Sequence, residues 1–192
     1  GLHESYYSGE FSRNSVLQLL KSAELHNSGS LINGISNIVV DKLEFLQKGT
    51  KAPAICLKNI DGYRICTNEF HEKYKYVIFA DTEMIVCREQ LKYLGQIQQK
   101  FEEHLQIIIV LRKTDLIEMK IFLDKQNIPG VKLVDENGTF IEKYRVQSFP
   151  SAFLLNKAHE IVFAHTKTPL DGFEQQFGPY LRRKLFEQQR NQ

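Results

Sequence analysis

Tryptophan is absent from the 192 residues, and sulfur is scarce, with three cysteines and two methionines. Three cysteines do not make the disulfide framework of a small secreted domain, and they leave the redox compartment undecided. An excess of one charge is also missing. The formal net charge of +2 is too small to point to nucleic acid or an anionic membrane surface. The basic run Arg182-Arg183-Lys184 is balanced by Glu187 and reads as a solvated helix face. No apolar run approaches the roughly 20 residues that a membrane span needs. The histidines (His3, His26, His71, His104, His159, His165) show no metal-ligand spacing among themselves or with the cysteines, so no metal is expected. Neither a Gly-rich phosphate loop nor a nucleophile elbow is present, and no cofactor is expected. No signal peptide is visible, and a start at Gly1 reads as a processed or trimmed N-terminus.

What is there is ordinary for a soluble globular protein: 42% hydrophobic and 25% charged residues, in a length that suits one domain plus an appendage. Residues 1–47 stand apart as a helical segment. Val16, Leu17, Leu19, Leu20 and Ala23 give one helical stripe over 15–25, and Ile35, Ile38, Val39, Leu43 and Leu46 another over 33–47, with Gly49 as a stop. These stripes must be buried. They pack on the following domain or on a second copy, which would make a homodimer, or they are the tail of a domain upstream.

From residue 48 the pattern is α/β. Ala54–Leu57 and Tyr63–Cys66 flank Asp61-Gly62, a hairpin signal. Tyr76–Ala80 reads as a buried strand. It leads through the loop Asp81–Ile85 into a helix whose first turn carries Cys87 and whose inner face carries Leu91, Leu94, Ile97 and Phe101. Leu105–Leu111 reads as a strand covered on both faces. A helix follows over Leu116–Lys125, capped by Thr114 or Asp115. Val131–Val134 and Thr139–Tyr144 then flank the turn Asp135-Glu136-Asn137-Gly138, where the turn reading is preferred over a glycosylation sequon. Ser148-Phe149-Pro150-Ser151 opens another apolar run, 152–155, and a last helix covers 170 to about 188. The succession is β-α-β-α-β, then a β-hairpin and a final helix.

Two of these pieces, the cysteine-bearing helix start and the Phe149-Pro150 turn, together with Gly49-Thr50-Lys51-Ala52-Pro53 as a G-x-x-A-P entry, resemble the thioredoxin fold. The resemblance is to the TlpA/ResA-like branch of the redoxin (AhpC/TSA) families. It implies a three-layer α/β/α sandwich with an N-terminal β-hairpin over 48–192, preceded here by the extra helical segment, and an extracytoplasmic place, periplasmic or envelope-anchored. In those families the loop reads roughly W-C-x-x-C-R-x-E-L. Here Glu83 stands where the tryptophan usually is, Met84 where the attacking cysteine should be, and Cys87 where the resolving cysteine is. A thioether has no ionisable proton and forms no mixed disulfide, so two-thiol exchange at this loop is excluded. The resemblance further implies a cis peptide before Pro150 and a groove lined by Glu83, Met84, Phe149 and Pro150 that takes a protein or peptide partner.

Cys87 has two readings: a thiol activated by Arg88 and the helix N-terminus, or, as the default, an inward-facing relic whose burial raises its pKa. Phe149 either faces the groove or is an ordinary packed aromatic. Asp81 and Glu83 are candidate bases for a thiol, though acidic residues in a polar loop are usually just solvated. For Cys56 and Cys66 the hairpin register decides. A two-residue loop puts the sulfurs on opposite faces. A three-residue loop, Ile60-Asp61-Gly62, sets them opposite one another and permits a cross-strand disulfide, though a strained one. Two small buried hydrophobes are the default. Three functions follow: a non-catalytic binding or scaffolding module, a monothiol enzyme (mixed-disulfide or peroxidase) using Cys87, or an oxidoreductase with Cys56 and Cys66 as a displaced redox pair. The first is preferred.

Overall fold

The computed structural model describes Ser15, Gln18, Ser22, residues 46–163 and residues 166–190. The chain divides into two compact units, Gly1–Thr50 and Lys51–Gln192. In the first, Ser15, Gln18 and Ser22 are helical, within the expected 15–25 helix. The 33–47 helix, apart from its last two positions, and the proposed dimer contact of these helices lie outside the described residues.

The second unit is built on a six-stranded sheet. In chain order its elements are β1 (Cys56–Asn59), β2 (Arg64–Cys66), β3 (Tyr74–Ala80), α1 (Ile85–Lys92), α2 (Leu94–Phe101), β4 (Leu105–Arg112), α3 (Leu116–Lys125), β5 (Val131–Asp135), α4 (Thr139–Lys143), β6 (Ser151–Leu155) and α5 (Phe173–Arg190). The strands lie in the order β2-β1-β5-β4-β3-β6. β3, β4 and β5 are mutually parallel, while β1, β2 and β6 join antiparallel at the flanks. The two apolar runs become the central pair: β3 is buried from Lys75 onwards and β4 over Ile107–Leu111, as expected for parallel strands covered on both faces.

Alternation along β3 sends its side chains to two cores. Tyr76, Ile78 and Ala80 join Cys87, Leu91, Leu94, Ile97, Phe101, Phe173 and Phe177 in one cluster; within it Tyr76 stacks on Phe173 with ring centroids 3.9 Å apart. Phe79, of opposite parity, packs with Tyr144 and Phe153 at 5.1 and 5.8 Å, and the Tyr144 hydroxyl donates to the Pro53 carbonyl at 2.6 Å. Asp115, one of the two expected caps, starts α3 by accepting from the Ile117 and Glu118 amides at 2.8 and 3.1 Å.

Three expectations change. The single Cys87 helix is two, broken at Tyr93; Leu91, Leu94, Ile97 and Phe101 are all buried nonetheless. Residues 139–143 are a short helix rather than an extended flank of the turn. Gly138 adopts φ 70°, a left-handed backbone that turns the chain, and Asp135 Oδ2 accepts from the Phe140 and Ile141 amides, both at 2.8 Å. That carboxylate satisfies first-turn donors no strand partner could reach. Finally, the hairpin closes through the three-residue loop Ile60-Asp61-Gly62, with Cys56 paired to Cys66, and the two sulfurs are bonded. The default of two free, buried cysteines does not hold.

Candidate functional site

The loop after β3 and the proline turn meet at one end of the sheet. Phe79 pairs with Ser151 across β3 and β6, so Pro150 lies one step beyond, level with the chain entering Asp81–Met84. The Phe149–Pro150 peptide bond is cis. Phe149 is half-buried against the main core cluster, closer to a packed aromatic than to a freely presented ring.

The loop is held from within. Asp81 is 3% exposed; its Oδ1 accepts from the Glu83 amide at 2.9 Å, its carbonyl accepts from the Met84 amide at 3.1 Å, and its Oδ2 accepts from Arg112 Nη1 at 3.2 Å. With both oxygens engaged, Asp81 is an anchor for the loop rather than a base, and Glu83 is exposed. Arg88, expected beside the thiol, turns elsewhere: its Nε donates to the Thr82 carbonyl at 2.5 Å and its guanidinium lies over the Phe122 ring. Gln90, buried in α1, accepts from the Leu170 amide at 2.7 Å and donates to Asp171, fixing the segment before α5 against the cysteine-bearing helix. Gln90 and Arg112 were not singled out from the sequence. Gln90 sits three residues after Cys87, a spacing that puts it near the same helix face.

Met84 is the N-cap residue of α1 and makes no side-chain cap bond. A thioether is a poor acceptor, so α1 forgoes the roughly 1 kcal/mol that a Ser or Asp there supplies. Met84, Ile85 and Val86 are 39%, 78% and 48% exposed. Ile85 also borders a groove against Ile121 and Phe122 of α3, and Ile117 and Ile121 are 73% and 59% exposed. These apolar side chains lie beside the loop among charged ones, since Arg88, Glu89, Lys92, Glu118 and Lys125 line the same groove.

Cys87, by contrast, is wholly buried. Burial pushes its thiol pKa up; a backbone hydrogen bond from Asp81 pulls the other way by less, and the charge on the Asp81 carboxylate pushes up again. The sulfur is a protonated thiol at neutral pH, and its two fellow cysteines are bonded to one another in β1 and β2, three and four strand spacings from β3, or roughly 14 and 19 Å. Among the described residues no group of three or more metal-ligating side chains gathers, and no helix is long and apolar enough to cross a membrane.

The arrangement defines a thioredoxin-like α/β domain. It matches the thioredoxin domain of a thiol-disulfide oxidoreductase from Bacteroides vulgatus with a TM-score of 0.61 at 22% identity, over 68% of this chain and 95% of that one. A thiol:disulfide interchange protein from Bacteroides sp. gives 0.59 at 23%, over 69% and 90%. A family model for the AhpC/TSA family matches residues 48–164. The chain belongs to that family, on its TlpA/ResA-like side. Among characterised relatives it is similar to the thiol-disulfide oxidoreductase ResA of Bacillus thuringiensis subsp. konkukian, 26% identical over 144 residues, covering 72% of this chain and 83% of that protein. ResA of Bacillus anthracis is 25% identical over 142 residues, covering 71% and 82%.

Proposed function

We propose that the chain is a thiol-disulfide-oxidoreductase-like protein of the cell envelope that has lost its nucleophilic cysteine and acts as a non-catalytic binding or scaffolding module. Its protein or peptide partner docks in the groove of Glu83, Met84, Phe149 and Pro150. The observation that carries this reading is Met84 at the exposed helix start with Cys87 buried behind it, in a family whose relatives bear the name of thiol-disulfide oxidoreductases. Without a sulfhydryl at residue 84 no mixed disulfide forms there. A protonated, solvent-excluded Cys87 is a poor nucleophile in its own right, which weighs against monothiol chemistry. The exposed apolar side chains of Met84, Ile85 and Val86 favour docking, and the Cys56–Cys66 disulfide favours an oxidising compartment.

The test is insulin-disulfide reduction in a Cys56→Ser/Cys66→Ser background, so that only the α1 loop is read. That protein is expected to be inactive, and adding Met84→Cys is expected to introduce measurable turnover. Clear turnover with Met84 in place would overturn the module reading in favour of Cys87 chemistry.

A further inference from the structure

The sulfur that the Met84 loop leaves unused lies in the β1–β2 hairpin. Asn59 donates to the Tyr63 carbonyl at 2.8 Å and Thr67 to the Ile55 carbonyl at 2.8 Å. Between them the register makes Cys56–Cys66 a non-hydrogen-bonded pair, the kind whose side chains approach most closely. Both cysteines are half-buried rather than enclosed, and β2 is the last strand of the sheet. Opening their bond breaks no backbone ladder bond, and the flanking bonds would hold the two thiols in place to close again.

The next non-hydrogen-bonded pair on the same face is Lys58–Arg64. Two cations directly across a ladder repel, and among the described residues neither forms an ion pair with a carboxylate. Cys56, Lys58 and Arg64 border a cavity of about 350 Å³ that is also lined by Asp135, Glu136, Asn137 and Phe140. Of the two acids that line it, Asp135 is spent on the start of α4. Cys66 does not border the cavity.

A staple is the ordinary reading of such a bond, but the hairpin has other closures beside it. The bridge spans a sequence separation of 10, and closing a loop that short gains somewhat less than closing a long one. The hairpin is already closed by its turn, where Asn59 Oδ1 accepts from the Asp61 and Tyr63 amides at 3.0 and 2.8 Å, and by Lys120 of α3 on Asp61.

We infer that Cys56–Cys66 is a second, exchangeable redox site, a two-electron acceptor for a partner protein that carries a dithiol. A partner thiolate, approaching through the cavity, attacks Cys56 Sγ. The Cys56–Cys66 bond breaks, Cys66 leaves as a thiolate and takes a proton from solvent, and a mixed disulfide joins the partner to Cys56. The partner's second thiol, deprotonated, attacks its own bonded sulfur and releases Cys56, which is protonated in turn. The partner ends as a disulfide, and the hairpin as two thiols. Lys58 and Arg64 favour the thiolates that leave, and a better leaving thiolate speeds exchange. This site is independent of the Met84 groove, and each has its own readout.

The probe is reduced thioredoxin, a CxxC dithiol, added to the oxidised full chain in native buffer, with free thiols counted by maleimide mass shift. Two labels are expected at Cys56 and Cys66, with Cys87 unlabelled. Labels that arise only after denaturant would make the bond a structural staple and overturn the inference. A thioredoxin lacking its second cysteine is expected to be trapped as a mixed disulfide mapping to Cys56; a map to Cys66 would overturn the assigned direction of attack. A Lys58→Glu/Arg64→Glu variant is expected to exchange more slowly, because a leaving thiol of higher pKa departs less readily. An unchanged rate would remove the cationic pair from the site.

Discussion

Cys87 and the Cys56–Cys66 pair share an element and little else. One sulfur lies under the helix start that follows β3, wholly enclosed, with an anchored loop before it. The other two lie on the outermost hairpin, half-exposed and beside two cations, with Cys56 bordering a cavity. A helix N-terminus would favour a Cys87 thiolate. Its surroundings decide otherwise: desolvation costs the thiolate more than the backbone hydrogen bond from Asp81 returns.

The sharpest way to break that contrast is alkylation. After mild reduction at pH 8, Cys56 and Cys66 are expected to label with iodoacetamide on the order of 100-fold faster than Cys87, which must wait for local opening. Comparable rates in the folded protein would show that Cys87 is accessible and would undo the argument from burial.

The cover over Cys87 can be tested through its anchor. Asp81→Ala strands the Glu83 amide and removes the partner of Arg112. An expected loss of about 1–3 kcal/mol in a denaturant titration follows from leaving such donors unmade. Faster Cys87 labelling should accompany it. A variant as stable as the parent, with unchanged labelling, would mean that the loop is held by something other than Asp81.

Much of this frame was legible beforehand, for reasons that also explain the omissions. β3 and β4 were readable because a strand covered on both faces leaves an unbroken apolar run. The cis proline turn and the odd Met84 were readable because the resemblance assigns each a place. The break at Tyr93 was not, because the spacing Leu91, Leu94, Ile97, Phe101 continues across it and the core-facing stripe is the same on both sides. The 139–143 helix was missed because its start depends on a carboxylate from the preceding strand, Asp135, and not on a cap of its own. The hairpin lay between these cases: sequence narrowed it to two registers, and the choice rests on Asn59 accepting two amides in the turn. Once that register is fixed, the Lys58–Arg64 pair beside the cysteines follows from a period of two.

The smallest expected effect concerns His159, which lies beside the hairpin. Its Nε2 lies 3.4 Å from Thr67 Oγ1, and Thr67 also accepts from the Ile55 amide, next to Cys56. Its Nδ1 is buried without a well-formed hydrogen bond. Burial lowers its pKa from 6.5 and the Lys75 cation lowers it further; the Pro53 carbonyl pulls it upward by less, and Lys51 adds the smallest downward push. Lys75 is itself enclosed, donating to the Phe70 and Lys157 carbonyls at 2.8 and 3.3 Å. Because the depressed value belongs to the folded state, the unfolded chain binds this proton first as pH falls, and stability rises with pH through that interval. His159 should therefore leave stability flat above its unfolded value of about 6.5 and contribute a decline below it, before the carboxylates begin to titrate. In His159→Gln that decline between about pH 6.5 and 5 should be shallower. An equal slope in the two proteins would place the titrating group elsewhere and leave the joint between hairpin and β3 indifferent to pH.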